Sequence, residues 1–158
     1  MKTKVFICYD SEIVGYVGRV CHALNRQAEV SCFFAPETMR SGVFPKQLKK
    51  AIETSNYFVL FLTNNTAGSR WQVFEIKEWK RYKERQNNTV IVNMDNKTLH
   101  LPLLNPELQR IFVNDTLDFD SSECSDKILA YFNIIRQRIN KEFHLYYLPI
   151  FIFCKSLD

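Results

Sequence analysis

Residues 55–78 read SNYFVLFLTNNTAGSRWQVFEIKE, and this stretch decides the fold that the sequence predicts. Tyr57–Thr63 is apolar nearly throughout, as is typical of a strand covered on both faces in a parallel sheet. A polar loop follows, and Ser69 begins an S-x-x-Q capping box that opens a helix over residues 70–85. Glu75 then lies in this helix, one turn past a tryptophan and close to the strand end.

Strand patterns and helix patterns alternate along the rest of the chain. Short apolar runs predict strands at Val5–Tyr9, Val30–Phe34 and Thr89–Met94, and a short fifth strand at Arg110–Val113. Apolar residues at helical spacing predict helices over residues 12–27, from Pro45 onward, and over residues 125–142. Ser11 is the expected cap of the first helix. This order predicts an α/β fold, with a parallel sheet of four to five strands flanked by helices and with Val5–Tyr9 and Tyr57–Thr63 central.

Three loops are expected to meet at one edge of this sheet. In parallel α/β sheets, ligands bind in the crevice at the carboxyl ends of the strands. That rule brings together the loops Tyr9–Ser11, Ala35–Phe44 and Thr63–Trp71. A glutamate on a helix is usually solvated, but Glu75 follows one of these loops near a helix N-terminus. It is therefore the candidate for chemistry.

The composition is that of one globular domain. The 158 residues are 46% hydrophobic and 14% aromatic, which is enough to bury a core. The net charge is +4, and the basic clusters at residues 46–50 and 77–85 alternate with apolar residues, as on solvated helix faces. Because no continuous basic stripe is evident, the sequence predicts no nucleic-acid interface.

Motifs of several common enzyme classes are absent from the sequence. None of the four glycines lies in a G-x-G-x-x-G or G-K-[ST] loop, which argues against a standard dinucleotide dehydrogenase or a P-loop enzyme. The five cysteines form no C-x-x-C pair and the three histidines are scattered, so no metal site is expected. Cys8 lies in an apolar run and is interpreted as a buried hydrophobic residue.

The two ends of the chain bear on location and domain extent. The apolar run before Asp10 is too short for a signal peptide, and no run reaches the ~18 apolar residues needed to span a membrane. We therefore expect a cytoplasmic protein. Residues 1–143 are assigned to one domain. Residues 144–158 form an apolar extension, which is a last packed strand, a subunit contact or the start of a further segment.

Two stretches of the chain resemble the Toll/interleukin-1 receptor (TIR) domain family. VFICYDSE at residues 5–12 resembles the family's opening strand and loop, and MRSGVFPKQLKKAIETSNYFVLFLTNNTAGSRWQVFE at residues 39–75 is similar to its central pattern. That pattern has an arginine or proline with glycine in a loop, then leucine and Ala-Ile on a helix, a serine, an apolar strand and S-x-W-x-x-x-E. The resemblance covers about residues 4–142 and implies a flavodoxin-like fold.

The resemblance implies that NAD+ is a substrate and that no cofactor is bound, because many TIR domains of bacteria and plants cleave the nicotinamide–ribose bond of NAD+. Glu75 would then be the catalytic glutamate. Nicotinamide leaves as a neutral molecule from a cationic pyridinium, so no general acid is needed, whereas ordinary glycosidases need two carboxylates. One carboxylate suffices if it stabilises an oxocarbenium-like sugar and holds the ribose hydroxyls.

The resemblance also implies substrate contacts at the ends of the first two strands. Tyr9, Asp10 and Ser11 would line the pocket where the first strand ends. Phe34 or Phe44 would stack on a ring of the substrate, although both residues fit the core equally well.

Further contacts are implied around the catalytic glutamate itself. Arg40 would meet the diphosphate of the substrate, the alternative being an ordinary exposed loop arginine. Trp71 is expected to be a packing residue that positions Glu75. Ser69 is expected to cap the helix, with a pocket contact as its second role.

Three functions stay open from the sequence. The first is an NAD+ nucleosidase that yields nicotinamide and ADP-ribose or a cyclic ADP-ribose, in bacterial anti-phage defence. The second is a non-catalytic TIR adaptor that works by TIR–TIR association, and the third is a nucleoside 2-deoxyribosyltransferase-like enzyme. Glu75 favours the first function over the second, and the Arg40–Gly42 loop with the tryptophan before Glu75 favours it over the third. Expected partners are NAD+, further copies of the chain, and a separate effector or sensor protein.

Overall fold

The computed structural model describes most of the chain up to residue 137. The described residues are 2–27, 29–34, 44–94, 109–112, 120–133 and 136–137. The expected extension at residues 144–158 and the loop at residues 35–43 lie outside them. No helix within the described ranges combines the length and the apolar character that crossing a membrane requires.

Five parallel strands form one sheet, as the alternating pattern predicts. The strands are β1 (Thr3–Cys8), β2 (Val30–Phe33), β3 (Tyr57–Leu62), β4 (Thr89–Asn93) and β5 (Gln109–Phe112). Their order across the sheet is β2-β1-β3-β4-β5, and every neighbouring pair is parallel. β1 and β3 therefore lie side by side within the sheet, which confirms the prediction that they are central.

Within the described residues, four helices connect and cover these strands. They are α1 (Val14–Asn25), α2 (Phe44–Thr54), α3 (Arg70–Trp79) and α4, which spans residues 121–133. The helix expected over residues 70–85 ends at Trp79 instead, because the chain turns back to enter β4 through a 3-10 turn at Lys83–Arg85. The last helix begins at residue 121, earlier than expected.

The first helix starts with a different cap from the one expected. A 3-10 turn at Ser11–Ile13 precedes α1, and Asp10 is its N-cap. The Glu12 backbone N–H donates to Asp10 Oδ1 at 2.9 Å, which satisfies one of the backbone donors that a helical start leaves open. The assignment of the cap to Ser11 was therefore wrong by one residue, because the turn begins one residue earlier.

The core consists of two apolar layers, one on each face of the sheet. Side chains alternate along β1, so that Val5 and Ile7 pack with α1 and α4, while Phe6 and Cys8 pack with α2 and α3. Every residue of β3 is buried. The unbroken apolar run therefore marks a strand covered on both faces, as expected.

Arg85 ties the end of α2 to the turn that follows α3. Its guanidinium donates to the carbonyl oxygens of Glu53 at 2.7 Å and Ser55 at 2.8 Å, which lie at the C-terminus of α2. The same group lies over the Tyr82 ring, 4.3 Å from its centroid. A cation at this place satisfies carbonyls that the helix leaves open and interacts favourably with the helix dipole.

We expect Arg85→Ala to lower the free energy of unfolding by about 2 kcal/mol, because two charge-assisted hydrogen bonds and the ring contact are lost. Urea unfolding followed by circular dichroism measures this. Lys83→Ala is the matched control, since Lys83 is exposed in the same turn, and it should change the stability by less than about 0.5 kcal/mol. Equal losses of unfolding free energy in the two variants would contradict the stabilising role of the Arg85 hydrogen bonds.

Candidate active site

The strand order places a crevice where β1 and β3 end. The chain leaves β1 for α1 on one face of the sheet and leaves β3 for α3 on the other face. Adjacent strands whose connections depart to opposite faces leave an opening between them at their carboxyl ends, which is where ligands bind in sheets of this order.

Two of the three expected loops meet at this edge. The Asn65 side-chain amide donates to Glu12 Oε2 at 2.9 Å, which joins the loop after β3 to the loop after β1. Within the loop after β3, the Thr63 backbone N–H donates to the Thr66 hydroxyl at 3.0 Å and forms a compact turn. The third expected loop, with Arg40, lies outside the described residues, as does the side chain of Phe44.

Glu75 lies on the inner face of α3, against the end of β1. The helix is capped as predicted, because Ser69 Oγ accepts a hydrogen bond from the Gln72 backbone N–H at 3.3 Å. Glu75 is 9% exposed, and its side chain lies beside Cys8, the last residue of β1. The carboxyl group therefore sits at the sheet edge rather than in solvent.

Burial dominates the electrostatics of this carboxyl. It raises the pKa of Glu75 from an ordinary 4.5 to about 7, because the charged form loses its hydration. The neighbouring Cys8 thiol acts in the opposite direction and lowers the pKa of Glu75, since it favours the carboxylate. Glu75 thus exchanges its proton near neutral pH, which is characteristic of groups that take part in chemistry.

Cys8 and Gln72 are polar residues close to Glu75, and neither was expected to have a role at the site. Cys8 is fully buried, and burial followed by the nearby Glu75 carboxylate raises the pKa of its thiol well above the usual range. Gln72 is 1% exposed, and its Nε2 donates to the Phe61 carbonyl oxygen at 3.2 Å. The capping box is therefore half formed, because the Gln72 side chain turns into the core and bonds to β3.

A signal for these two residues was present in the sequence. Gln72 and Glu75 are three residues apart, so both lie on one face of α3. Cys8 lies two residues after Phe6 on β1, so both side chains point to the face that α3 covers. The sequence pattern does not show that α3 packs against the end of β1, because that packing depends on contacts between segments distant in the chain.

Tyr9 and Phe34 pack together beside the site. Tyr9 is half-buried, and its ring centroid lies 5.3 Å from that of Phe34. Burial, then the Glu75 carboxylate, raises the pKa of the Tyr9 phenol, so it stays protonated and can donate a hydrogen bond. Phe34 is 5% exposed and belongs to the core with α1, as its alternative interpretation held.

Asp10 and Ser11 complete the end of β1. One oxygen of Asp10 accepts the Glu12 backbone N–H in the N-cap, so the carboxylate is already committed to the helical turn. Ser11 is exposed and begins the 3-10 turn that follows β1. Both residues remain close to the expected pocket, with Asp10 acting first as a structural cap.

Trp71 contradicts its expected role as a packing residue. Its side chain is 50% exposed, and its ring makes an edge contact with Phe74, with the centroids 6.3 Å apart. Successive residues of a helix differ by about 100°, and Gln72 takes the inward position of this turn. The tryptophan is consequently directed to the surface next to the crevice loop.

Glu78, three residues after Glu75 on α3, is also buried. It is 6% exposed, and its Oε1 accepts a hydrogen bond from Arg81 Nη1 at 3.1 Å. Glu78 lies near the C-terminal end of α3, where the Trp79 indole donates to Thr89 at the start of β4. Its carboxylate is therefore paired with an arginine, one helical turn beyond Glu75 toward the C-terminal end of α3.

No group of three or more histidine, cysteine, aspartate or glutamate side chains in the described part of the chain is arranged to hold a metal ion. The buried polar groups beside the crevice are instead the Glu75 carboxyl, the Cys8 thiol and the Gln72 amide. Such a set can stabilise a developing positive charge, and it offers hydrogen bonds to a sugar.

Comparison with known proteins agrees with this architecture. The TIR domain family profile matches residues 5–129, and no curated protein sequence matches. The TIR domains in a structure of the activated Roq1 resistosome, which directly recognizes the pathogen effector XopQ, are similar with a TM-score of 0.61 and 18% identity. That likeness covers 83% of this chain and 99% of the other, and at this identity it shows the fold. Since the family profile spans most of the sequence, the chain belongs to the TIR domain family.

Proposed function

We propose that this chain is an NAD+ nucleosidase, which cleaves the nicotinamide–ribose bond and yields nicotinamide with ADP-ribose or a cyclic ADP-ribose. The observation that carries the proposal is the buried Glu75 carboxyl at the ends of β1 and β3. The proposed setting is bacterial anti-phage defence, in keeping with the resemblance to NAD+-cleaving bacterial members of the family.

The chemistry of the bond matches a site with one buried carboxylate. The leaving nicotinamide departs as a neutral molecule, so the reaction requires no proton donor at the leaving group. Positive charge develops on the ribose as the bond breaks, and a carboxylate in a poorly hydrated place interacts strongly with that charge. Glu75 in its ionised form supplies that carboxylate, and the protonated Tyr9 phenol beside it is available to hold a hydroxyl or carbonyl of the substrate.

Other carboxylates near the site are already engaged. Asp10 accepts a backbone N–H in the cap, Glu12 accepts the Asn65 amide, and Glu78 is paired with Arg81. A glycosidase of the ordinary kind needs a second carboxyl facing the first across the bond. The site therefore favours a reaction that a single carboxylate can catalyse.

We expect Glu75→Gln to lower NAD+ cleavage by about 10²-fold or more, which corresponds to about 2.7 kcal/mol of lost transition-state stabilisation. The amide keeps the size of the side chain but cannot carry the negative charge. Nicotinamide release, followed by chromatography with mass spectrometry of the second product, measures the loss and identifies the product as linear or cyclic.

The matched control for this variant is Glu84→Gln. Glu84 has a side chain 71% exposed, so its neutralisation should leave the activity unchanged. A Glu75→Gln protein with full activity would contradict the catalytic role. Wild-type protein that leaves NAD+ intact under activating conditions, yet forms assemblies, would favour the adaptor. Cleavage of deoxynucleosides offered in parallel would favour a deoxyribosyltransferase-like enzyme.

The raised pKa of Glu75 gives a stability that depends on pH in a defined direction. Below about pH 4.5 the carboxyl is protonated in both folded and unfolded chains, so burial costs nothing. Above about pH 4.5 the unfolded chain releases this proton, while the folded protein still holds it. The free energy of unfolding therefore falls as the pH rises toward about 7, and the loss is complete once the folded carboxyl has also ionised. The shift corresponds to at most about 3 kcal/mol.

We expect Glu75→Gln to be more stable than the wild type above pH 7 and to approach it in stability near pH 4.5, because the amide has no charge to bury. Urea unfolding at a series of pH values measures the difference between the two proteins. The kcat/KM of the wild type should rise with pH through about 7, as the carboxylate form accumulates. If the unfolding free energies of the two proteins changed with pH in parallel, the raised pKa of the buried Glu75 carboxyl would be contradicted.

We further propose that copies of this domain associate to complete the site. Of the residues described, two large hydrophobic side chains are exposed, Val14 at 39% and Trp71 at 50%. Both lie in the first turns of helices that start at the crevice edge. A second copy that covered them would exclude water from the crevice and strengthen the electrostatic interactions within it. A separate effector or sensor protein could trigger the association.

The specific activity is expected to rise with protein concentration, because the associated form is the active one. Initial rates over a hundredfold range of concentration, with light scattering on the same samples, test this. A constant specific activity in samples that stay monomeric would contradict the proposal, and so would activity that is independent of assembly size.

A further inference from the structure

Strand β3 runs past the end of its neighbour β1 at the crevice. The last paired residues of these two strands are Cys8 and Leu60, whereas the pairing of β3 with β4 continues to Leu62. After β1 the chain turns into the helical start that Asp10 caps. The side of β3 that faces β1 therefore has no strand partner from Phe61 onward.

The backbone carbonyl of Phe61 points toward this open side of β3. Along a strand, the backbone groups of successive residues are directed alternately to the two neighbouring strands. The Phe58 N–H donates to the Asn88 carbonyl at 3.0 Å, on the β4 side. The Leu62 carbonyl accepts the Met94 N–H at 2.9 Å, also on the β4 side. Phe61 is consequently directed to the β1 side, where the ladder has ended, and a buried carbonyl left unpaired there would be costly.

The Gln72 side chain supplies the donor that a strand would otherwise provide. Its Nε2 donates to the Phe61 carbonyl oxygen at 3.2 Å, and the residue is 1% exposed. Its backbone N–H donates to the Ser69 hydroxyl at 3.3 Å. The Ser69 N–H, which would accept the glutamine in a complete capping box, donates instead to the Asn65 carbonyl at 3.0 Å. Gln72 is thus fixed through both its backbone and its side chain, and it joins the first turn of α3 to β3.

We propose that Gln72 is a positioning residue, whose amide binds the carbonyl that β1 leaves open and so holds the first turn of α3, and with it Glu75, at the ends of β1 and β3. Glu75 lies three residues later on the same face of the helix. The inference rests on the proposed function, because a fixed carboxylate serves catalysis only if Glu75 reacts.

Two consequences distinguish this role from a general contribution to stability. Loss of the amide should loosen the start of α3 more than its end, because the bond to Phe61 is made from the first turn. It should also lower kcat more than it raises KM, since Gln72 is buried and acts only through the placement of the Glu75 carboxylate.

The test compares Gln72→Met, which keeps the approximate length of the side chain but has no N–H donor, with Trp79→Phe. The second variant is the matched control, because it removes another buried hydrogen bond from α3, the one to Thr89 of β4 at the far end of the helix. The readouts are kcat and KM for NAD+ cleavage, and amide hydrogen exchange along α3 measured by NMR.

In Gln72→Met we expect kcat to fall by about tenfold or more with KM changed by less than about twofold, because a small displacement of a reacting group has a large effect on rate. The Val73 N–H, which donates to the first-turn carbonyl of the cap, should exchange about tenfold faster, and the Lys80 N–H at the end of the helix should change little. In Trp79→Phe this exchange pattern should be reversed, and kcat should stay within about twofold of the wild type.

An unchanged kcat in folded Gln72→Met would overturn the proposal, and so would an equal fall of kcat in Trp79→Phe. Exchange that accelerates equally at Val73 and Lys80 in Gln72→Met would also overturn it, since that is the effect of a lower overall stability. If Gln72→Met fails to fold, the wild type decides. The side-chain amide protons of Gln72 should exchange far more slowly than those of the exposed Gln47, and equal rates overturn the proposal.

The two hypotheses fail separately. Wild-type protein without NAD+ cleavage rejects the proposed function. Hydrogen exchange in the wild type and in Gln72→Met tests how the start of α3 is held, without reference to activity.

Discussion

The burial of β3 on both of its faces is the constraint from which the rest of the structure follows. All of its side chains, from Tyr57 to Leu62, are buried, and each large one contributes about 1.5–3 kcal/mol when removed from water. Covering them requires a helical layer on each face and a strand on each side. Parallel neighbours need crossover connections, so the chain alternates between strands and helices and passes from one face to the other.

The same constraint creates the site. Because the connections after β1 and β3 depart to opposite faces, the two strand ends are left open between diverging chains. Helix α3, capped by Ser69, lies over this opening and brings Glu75 onto the end of β1. The core that stabilises the domain thereby also withholds water from the carboxyl, which raises its pKa. The burial that stabilises the core therefore disfavours the charged form of Glu75.

Much of the fold could be predicted from the sequence. Short apolar runs identified the five strands, helical spacing identified the helices between them, and the apolar run at residues 57–63 indicated a strand covered on both faces. The bounds of α3 were less accurate, because its end at Trp79 depends on an indole bonded to Thr89 in another element. The role of Arg85 could not be seen for the same reason, since its acceptors lie at the end of α2.

The sequence by itself determined which residues share a face and which follow a strand end, and so it marked Glu75, Ser69 and Tyr9 as members of one crevice. Only the tertiary structure decided what each side chain meets. It turned Gln72 inward and Trp71 outward, paired Glu78 with Arg81, and brought the Cys8 thiol to Glu75. The physical reason is that spacing along a helix or strand fixes direction relative to that element, whereas burial and hydrogen bonding depend on how distant elements pack.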